Sequence, residues 1–422
     1  MRALYSLAWL LALPWAFLYL LWRGRRQPAY LRHWGERLGF APRVRARPVI
    51  WIHAVSVGET RAAAPLVRAL LRRYPDHVVL LTHATPTGRA TGHELFADSV
   101  LHAYLPYDFA PLVALFLRRV RPELGLVMET EIWPALFRAC QRRDIHVLLV
   151  NARLSERSAR GYRRFAGLTR GALRDLHAIA AQGEADAVRL QALGARDVAV
   201  TGNVKFDVTP PADTVAKTDA LRRLFTGRFV FLCASTREGE EVLLLDALWD
   251  LPADVLLVLV PRHPQRFETV AELLRHRDPH YARRSTGQMP AADTRVFLGD
   301  SMGEMAAYYA AAQLCYVGGS LLPLGGQNMI EAAAAGCPAL LGPHTWNFQD
   351  AAEQAVARGA ARRVADGAAL RAALLQLRQD PAARQGMAAA GLAFTAANRG
   401  ATERILALVD AARARPAPPG TT

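Results

Sequence analysis

The sequence predicts an α/β protein with two Rossmann-like, doubly wound domains that face a central cleft, preceded by an N-terminal membrane-anchor helix. Three observations support this prediction. Short apolar runs alternate with helical segments, which is typical of parallel sheets covered by helices. The alternation occurs twice, on either side of a proline-containing stretch at residues 209–216. The chain also begins with a long uncharged run that ends in arginines.

The composition limits the classes of protein to which this chain can belong. The 422 residues, 52% of them hydrophobic, are enough for two domains with sizeable cores. A net charge of +15 favours an anionic partner. The basic residues are almost all arginine and form no aromatic-studded clusters, so we expect no nucleic-acid partner. Four cysteines without metal or redox spacing indicate buried thiols in a reducing compartment.

The N-terminal run predicts a membrane anchor. Residues 3–22 carry no charge, and Arg23, Arg25 and Arg26 follow at once. The run is about long enough to span a bilayer and lacks a cleavage site, so it is expected to remain as a signal-anchor. Its basic flank predicts that the rest of the chain lies on the cytoplasmic side of the membrane, against anionic lipids. Pro14 would kink a spanning helix, so a helix lying in the membrane interface is the alternative.

The domain plan follows from the same patterns. The predicted segments are the anchor and basic flank at 1–26, the first domain at 27–208, the linker at 209–216, the second domain at 217–391, one closing amphipathic helix at 392–412 and a disordered tail at 413–422. The predicted strands of the first domain are 49–52, 78–81, 124–128, 147–150, 178–181 and 198–200; those of the second are 229–233, 255–259, 296–298, 314–317 and 339–341. In such sheets, ligands meet the loops that follow the strands.

A candidate base follows the first predicted strand. The segment HAVSVGET ends in Glu59 and Thr60, which places Glu59 at a glycine turn before a helix. A carboxylate there would suit a general base that removes a proton from an attacking hydroxyl. The alternative is an ordinary first-turn glutamate favoured by the helix dipole, and position alone favours that alternative.

Charged groups follow two other strands of the first domain. Glu129 and Glu131 come after the strand at 124–128, and in an extended segment both would face one side. We expect one to order the loop and the other to line the cleft, with Asn151 as a supporting residue. Lys205 would neutralise negative charge on a leaving phosphate. Its alternative is a solvated linker lysine.

The stretch at 318–348 predicts a nucleotide site. An apolar strand is followed by two glycine pairs, then by Asn328 at a helix N-cap position and by Glu331 three residues later, in a helix at 329–335. Glycines let the backbone approach a ligand, and the helix N-terminus offers N–H groups to a phosphate. Glu331 would accept hydrogen bonds from both ribose hydroxyls. The alternative is an ordinary capping box.

Two more loops of the second domain belong with this site. Arg262 and His263 end a buried strand, where they could meet a phosphate or a carboxylate. The segment at 299–304 is another strand-to-helix turn. The sequence has no Asp-x-Asp motif, so we expect no metal and no other cofactor. The helix N-terminus, Lys205 and Arg262 would replace a divalent cation at the leaving group.

In order and spacing, these motifs resemble the bacterial 3-deoxy-D-manno-octulosonate (Kdo) transferases that act on lipid A. The matching segments are 28–37, 53–60, 128–134, 202–207, 261–266, 299–304 and 318–348. The resemblance implies the glycosyltransferase fold called GT-B, with an acceptor-binding first domain and a CMP-sugar-binding second domain. It also implies inverting transfer of Kdo from CMP-Kdo to a lipid A precursor, lipid IVA, in lipopolysaccharide core biosynthesis, with release of CMP.

The resemblance implies roles for individual residues. Glu59 would be the general base, and Glu129 and Lys205 would stabilise the transition state. CMP would be bound by Arg262, His263, Met302, Gly303, Glu304, Asn328, Met329, Ile330 and Glu331. The sequence departs from the family at Gln327 and Arg237, where histidine is usual.

The sequence leaves other functions open. One is a different GT-B enzyme that uses a UDP-sugar and a lipid or cell-wall acceptor, which competition by CMP but not UDP would exclude. Another is a non-enzymatic envelope protein bound to anionic lipid, against which the placed carboxylates Glu59 and Glu129 argue. A nicotinamide dehydrogenase is disfavoured because no full G-x-G-x-x-G follows the first strand.

Overall fold

A computed structural model describes residues 2–45, 47–207, 210–277 and 280–414. The described residues fall into two compact units. Unit 1 lies within Met1–Val208 and Arg399–Thr422, and unit 2 lies within Thr209–Asn398. Each unit contains one seven-stranded sheet.

The sheet of unit 1 is parallel throughout, in the order β3-β2-β1-β4-β5-β6-β7. Its strands are β1 Val49–His53, β2 Val78–His83, β3 Leu101–Tyr104, β4 Pro122–Met128, β5 His146–Ala152, β6 Ala178–Ala181 and β7 Val198–Val200. The strand order changes direction between β1 and β4. At such a point the following loops diverge and leave a crevice at the carboxyl edge of the sheet.

Helices cover both faces of this sheet. They are α1 Arg2–Arg26, α2 Trp34–Arg37, α3 Val57–Arg73, α4 Pro86–Phe96, α5 Ala110–Val120, α6 Pro134–Gln141, α7 Glu156–Arg163, α8 Ala166–Arg174, α9 Glu184–Ala192 and, after unit 2, α18 Ala401–Ala414. Side chains of β1 alternate between two apolar cores, because successive residues of a strand point to opposite faces. Trp51 lies in one core with Phe116, and Ile50 lies in the other with Ile405 of α18.

Unit 2 has the same architecture. Its parallel sheet has the order β10-β11-β9-β8-β12-β13-β14. The strands are β8 Phe229–Thr236, β9 Val255–Pro261, β10 Ala282–Arg283, β11 Val296–Leu298, β12 Leu314–Val317, β13 Ala339–Leu341 and β14 Ala361–Arg363. The helices are α10 Thr214–Leu224, α11 Glu240–Leu248, α12 Phe267–Arg277, α13 Met305–Ala311, α14 Ile330–Ala334, α15 Gln349–Ala357, α16 Gly367–Gln379 and α17 Pro381–Asn398. Here the order changes direction between β8 and β12.

The predicted α/β class with two doubly wound parallel sheets is confirmed, and every predicted strand is present. Three short strands, β3, β10 and β14, were not predicted, and each lies at a sheet edge. They contain His102, Arg283 and Arg362, respectively. Such strands pair on one side only, so they need no continuous apolar run, and pairing with the neighbouring strand sets their conformation.

The predicted continuous closing helix at 392–412 is wrong. The chain forms α17 in unit 2 and α18 in unit 1, with a break at Gly400. Gly400 has φ +89, which no α-helix contains. The carboxylate of Asp207 accepts hydrogen bonds from the N–H groups of Gly400 (2.7 Å) and Thr402 (2.6 Å). This long-range cap starts a new helix where the amphipathic pattern predicts continuation.

Two other predicted ends also shift. The linker predicted at 209–216 is shorter, because α10 already begins at Thr214. The tail predicted at 413–422 begins later, because α18 continues through Ala414. The rest of that tail lies outside the described residues.

Helix α1 packs along unit 1. The rings of Trp9 and Tyr107 lie 5.7 Å apart, and those of Phe17 and Trp34 lie 5.4 Å apart. The segment Leu4–Arg26 is nevertheless long and apolar enough to cross a membrane, and only 6% of its most apolar window is buried. The helix therefore has one face on the protein and another left exposed.

Candidate active site

Glu59 lies in the first turn of α3, the helix that follows β1 in the chain. Its Oε2 accepts a hydrogen bond from the N–H of Val55 at 2.9 Å, and its Oε1 accepts one from the hydroxyl of Ser56 at 3.1 Å. The N–H of Glu59 donates in return to Ser56 Oγ at 3.4 Å. These bonds resemble a capping box, so Glu59 does play the structural role that the sequence left open. They also hold the carboxylate at the carboxyl edge of the sheet.

Capping alone does not account for the environment of Glu59, which is half-buried and lies near two other carboxylates. Burial raises the pKa of Glu59 to about 7, and the negative charges of Glu129 and Glu131 contribute to this increase. The hydrogen bonds from Val55 and Ser56 act in the opposite direction. A carboxylate whose pKa lies near neutrality can both hold and release a proton at physiological pH, which suits a general base.

The histidine at the end of β1 is a poor competitor for the role of general base. His53, at the end of β1, is fully buried, and its Nδ1 lies 3.0 Å from Thr82 Oγ1. Burial lowers the pKa of His53 to about 3, so the ring stays neutral. Its ring instead packs edge-to-face on Trp133, with the centroids 5.9 Å apart.

Glu129 and Lys205, 76 positions apart in the numbering of the chain, are brought together by the fold. Lys205 Nζ lies 3.4 Å from Glu129 Oε1, and the two side chains are only 19% and 22% exposed. Glu129 also has a left-handed backbone with φ +57, which non-glycine residues rarely adopt outside constrained sites. Lys205 is therefore not a solvated linker lysine.

The position of Lys205 is set by a chain of amides. The buried Asn151 accepts a hydrogen bond from the N–H of Val204 at 3.1 Å. Asn203 accepts one from the N–H of Lys205 at 3.0 Å. Gln182 joins these amides, donating to the carbonyl of Asn151 and accepting from Asn203, both at 3.0 Å. The sequence pointed to Asn151 as a support but missed Gln182, because Gln182 acts only through residues distant in the sequence.

The loop behind β4 is also fixed beside Glu129. The hydroxyl of Thr130 donates to the carbonyl of Arg153 at 2.5 Å, and the hydroxyl of Tyr162 donates to the carbonyl of Thr130 at 3.2 Å. Burial and the charge of Glu129 raise the pKa of Glu131. Glu129 thus pairs with the lysine, whereas Glu131 adds a second negative charge near Glu59.

In unit 2, the predicted CMP-binding residues follow β9, β11 and β12, around the carboxyl edge of the parallel sheet. One direct bond joins two of these loops, because Arg262 Nε donates to Gln327 Oε1 at 3.2 Å. Burial and the charges of Arg262, Arg237 and Arg266 lower the pKa of His263. The edge is therefore strongly basic, which suits a ligand that carries more than one negative charge.

A buried glutamate that the sequence did not reveal supports the glycine loop behind β12. Glu240 accepts hydrogen bonds from the N–H of Gly319 at 2.5 Å, the hydroxyl of Tyr316 at 2.5 Å and the N–H of Arg237 at 3.0 Å. Gly319 has φ +71, so a side chain there would be strained. Glu240 lies in the STREGE segment, and its burial is the feature that only the folded chain reveals.

Helix α14 is shorter than the predicted helix at 329–335. The N-cap residue of α14 is Met329 and not the predicted Asn328. Asn328 still supports the start of the helix, because its Oδ1 accepts from the N–H of Ile330 at 3.2 Å and its Nδ2 donates to Glu331 Oε1 at 2.9 Å. The side chains of Met329 and Ile330 are buried in the core. These two residues can meet a ligand only through their backbone.

The turn before α13 is held by its own carboxylate. Glu304 accepts two hydrogen bonds from Arg284, at 3.0 and 2.8 Å, and one from Ser301. These bonds, with the charge of Arg284, lower the pKa of Glu304. Met302 is 52% exposed, and Gly303 has φ +75. The exposed part of this turn is therefore Met302 and the backbone, while the carboxylate of Glu304 is engaged within the unit.

Together, the two units present complementary chemistry. A base with a pKa near neutrality suits the activation of a hydroxyl, and a basic, glycine-rich sheet edge suits a phosphate-bearing donor. On two Rossmann-type sheets, this chemistry is that expected of a glycosyltransferase of the GT-B class.

Comparison with known proteins narrows this class. A family model described as 3-Deoxy-D-manno-octulosonic-acid transferase (kdotransferase) matches residues 32–208. The chain is 44% identical to the 3-deoxy-D-manno-octulosonic acid transferase of Bordetella pertussis, over 96% of this chain and 98% of the relative. It is 38% identical to that of Haemophilus influenzae, over 91% and 92% of the two chains. The chain therefore belongs to the 3-deoxy-D-manno-octulosonic acid transferase family and transfers Kdo in lipopolysaccharide biosynthesis, as its motifs predicted.

The fold has wider relatives. The crystal structure of UDP-GlcNAc 2-epimerase from Neisseria meningitidis bound to UDP-GlcNAc matches with a TM-score of 0.59 at 16% identity. The match covers 86% of this chain and 100% of that one. At this level of identity the likeness shows the shared GT-B architecture alone.

Proposed function

We propose that this enzyme transfers Kdo from CMP-Kdo to lipid IVA, a lipid A precursor, with inversion at the anomeric carbon and release of CMP. The observation that supports this proposal most directly is the pKa of Glu59, which is raised to about 7. Glu59 is half-buried beside Glu129 and Glu131. Direct displacement with inversion needs one base for the attacking hydroxyl and no covalent intermediate. A single carboxylate poised near neutrality meets that need.

The proposed transfer is a single displacement at the anomeric carbon of Kdo. The acceptor hydroxyl gives its proton to Glu59 while its oxygen bonds to the anomeric carbon. The bond from that carbon to the phosphate oxygen of CMP breaks, and CMP leaves with the electron pair. Lys205 stabilises the negative charge that develops during this displacement, and Glu129 holds the ammonium in place.

Unit 2 would hold the donor. CMP-Kdo carries a phosphodiester and a carboxylate, and the edge around Arg262 and His263 is basic enough to bind both. We assign the ribose to Glu331. Met329 and Ile330 would meet the ligand through their backbone, because their side chains are buried. Met302, Gly303 and Glu304 would complete the CMP site through the exposed part of their turn.

Transfer from freshly prepared CMP-Kdo to tetraacylated lipid IVA in detergent tests the proposed function. We expect a product whose mass increases by one or more Kdo units. CMP should inhibit and UDP should not. If UDP inhibits and CMP does not, the UDP-sugar alternative replaces the proposal. If CMP binds but no Kdo-lipid forms, the acceptor or the sugar is wrong.

We also propose that the transfer needs no metal. Among residues 2–45, 47–207, 210–277 and 280–414, no group of three or more His, Cys, Asp or Glu is placed to hold a metal ion. Cationic side chains and backbone N–H groups would stabilise the leaving phosphate instead. Full activity is therefore expected after treatment with EDTA. Loss of activity in EDTA that magnesium restores would contradict the proposal.

Helix α1 supports a location at the cytoplasmic face of the inner membrane, and we propose that it lies along the membrane rather than across it. Its contacts with unit 1 extend from Tyr5, through Trp9 and Phe17, to Gly24, which closely approaches Leu31. A helix held along its length by a polar domain could not cross hydrocarbon without taking that domain with it.

The outward face of α1 is apolar. Its exposed large side chains are Leu4, Leu7, Leu10, Leu11, Trp15, Leu18, Tyr19, Leu21 and Trp22. The arginines at its end could contact anionic headgroups. This combination suits a helix that rests in the interface of an anionic bilayer.

Protease accessibility distinguishes the two orientations. In intact spheroplasts, an N-terminal tag on the full chain should be protected from external protease, because an interfacial helix keeps both of its ends inside. Inverted vesicles should expose the tag. A tag that is cleaved from outside would show that α1 spans the membrane.

A further inference from the structure

Helix α6 starts immediately behind the loop that carries Glu129 and Glu131, but it lacks a local cap. Its N-cap residue, Trp133, makes no side-chain capping bond. The first N–H groups of a helix have no partner within the helix. Here Asp108 accepts from the N–H of Ala135 at 3.0 Å and from that of Leu136 at 2.8 Å. A carboxylate from another segment therefore fixes the start of α6.

Asp108 is in turn held by the N-terminal helix. The hydroxyl of Tyr5 donates to Asp108 Oδ2 at 2.7 Å, across 103 positions of the chain. Asp108 is only 1% exposed. Burial raises its pKa, while the bonds from Ala135, Tyr5 and Leu136 favour the carboxylate form. A buried carboxylate depends on such donors, so the bond from Tyr5 is part of what keeps this cap in place.

Ring contacts align α1 for this bond. Trp9 lies 5.7 Å from the ring of Tyr107, the residue before Asp108, and Phe17 lies 6.2 Å from the same ring. Tyr5 itself packs edge-to-face on Trp9, at 6.4 Å. The helix that faces the lipid on one side therefore contacts, on the other side, the segment that caps α6.

The loop from Glu129 to Trp133 is consequently fixed at both ends. Thr130 is held by the carbonyl of Arg153 and the hydroxyl of Tyr162, as described above. The other end continues directly into α6, whose position depends on Asp108. A shift of the first turn of α6 would move this loop, and with it the two carboxylates that raise the pKa of Glu59.

We propose that Tyr5 and Asp108 are positioning residues for the transfer reaction: through them, the membrane-associated helix α1 holds the loop that presents Glu129 and Glu131. This inference rests on the function proposed above for those carboxylates. Helix α1 would then be part of the active arrangement of unit 1 as well as an attachment to the membrane. Docking of α1 would then favour the active arrangement of the loop.

The variant Tyr5→Phe tests the link in the full-length enzyme in detergent micelles. It removes one hydroxyl and keeps the ring. We expect kcat to fall roughly tenfold, about the worth of one hydrogen bond to a charged group, while KM for CMP-Kdo stays unchanged. Tyr19→Phe is the matched control, because it removes the same atom from the same helix, where the hydroxyl accepts a bond from the exposed Arg23. The control should behave as wild type.

A double-variant cycle shows whether Tyr5 acts through Asp108. Asp108→Asn should lower kcat more than Tyr5→Phe does, and adding Tyr5→Phe to Asp108→Asn should cost little more. Full additivity, or a kcat for Tyr5→Phe equal to that of Tyr19→Phe, would overturn the proposal.

Hydrogen exchange gives a readout that does not depend on turnover. In a peptide covering residues 129–137, amides should exchange faster in Tyr5→Phe than in wild type or Tyr19→Phe. Equal exchange in all three proteins would overturn the positioning role even if the enzyme were inactive. Absence of transfer by wild type, together with faster exchange in Tyr5→Phe, would refute the proposed function and leave the structural link standing.

Discussion

Glu59→Gln is expected to lower kcat by roughly a hundred- to ten-thousand-fold, the range that general base catalysis contributes. Glutamine keeps the size of the side chain and one acceptor oxygen, so the bond from Val55 or Ser56 can persist. It cannot accept the proton of the acceptor hydroxyl. Because the residue also caps α3, the variant must be shown to be folded, for example by an unchanged thermal transition. Kinetics with lipid IVA and CMP-Kdo then measure the loss.

The matched control for this change is Glu94→Gln. Glu94 is an exposed glutamate of the same unit that pairs with Arg61 on the surface, and surface pairs contribute little. Its variant should retain full activity. If Glu59→Gln stays folded and keeps most of its activity, Glu59 is only a cap and another group removes the proton.

The pH dependence gives an independent test of the same assignment. A general base works in its ionised form, and burial raises the pKa of Glu59 to about 7. Activity of wild type should therefore be lost as pH falls through about 7 and should level off above it. Glu129→Gln removes one of the charges that raise this pKa, so it should move the acidic limb to lower pH. A limb that stays in place in Glu129→Gln would contradict the assignment.

Lys205→Met is expected to lower kcat by roughly a hundred- to a thousand-fold, the usual effect of removing one group that stabilises transition-state charge. Methionine keeps most of the length of the chain but removes the ammonium that lies 3.4 Å from Glu129. CMP binding, measured by calorimetry, should be nearly unchanged, because the loss would be confined to the transition state.

The chain itself offers a matched control for this lysine. It has only two lysines among its 52 Lys and Arg residues. The second, Lys217, pairs with an exposed Asp213. Lys217 Nζ also lies 3.5 Å from the carbonyl of Gly303 in the proposed CMP site. Lys217→Met should therefore keep the kcat of wild type, and any loss should appear in KM for CMP-Kdo. Lys205→Arg should recover only part of the activity, because a planar guanidinium does not reproduce a compact ammonium beside Glu129. A fully active Lys205→Met would restrict Lys205 to a structural role.

Patterns in the single sequence were sufficient to predict the architecture. Buried parallel strands are continuous apolar runs, so β1, β4, β8 and β12 could be found from local sequence. The candidate loops follow such runs, and parallel strands bring their carboxyl ends to one edge. Where the local signal was weak, prediction failed: the edge strands depend on a neighbour, and the break at Gly400 depends on Asp207.

The sequence by itself determined the two Rossmann-type units, the apolar N-terminal helix and the family, because apolar periodicity and motif order are properties of contiguous residues. Only the tertiary structure decided how the site is held. Lys205 meets Glu129, Glu240 supports Gly319 across 79 positions, and Tyr5 reaches Asp108 across 103. The raised pKa of Glu59 arises in the same way, since burial and the charges of distant carboxylates exist only once the chain has folded.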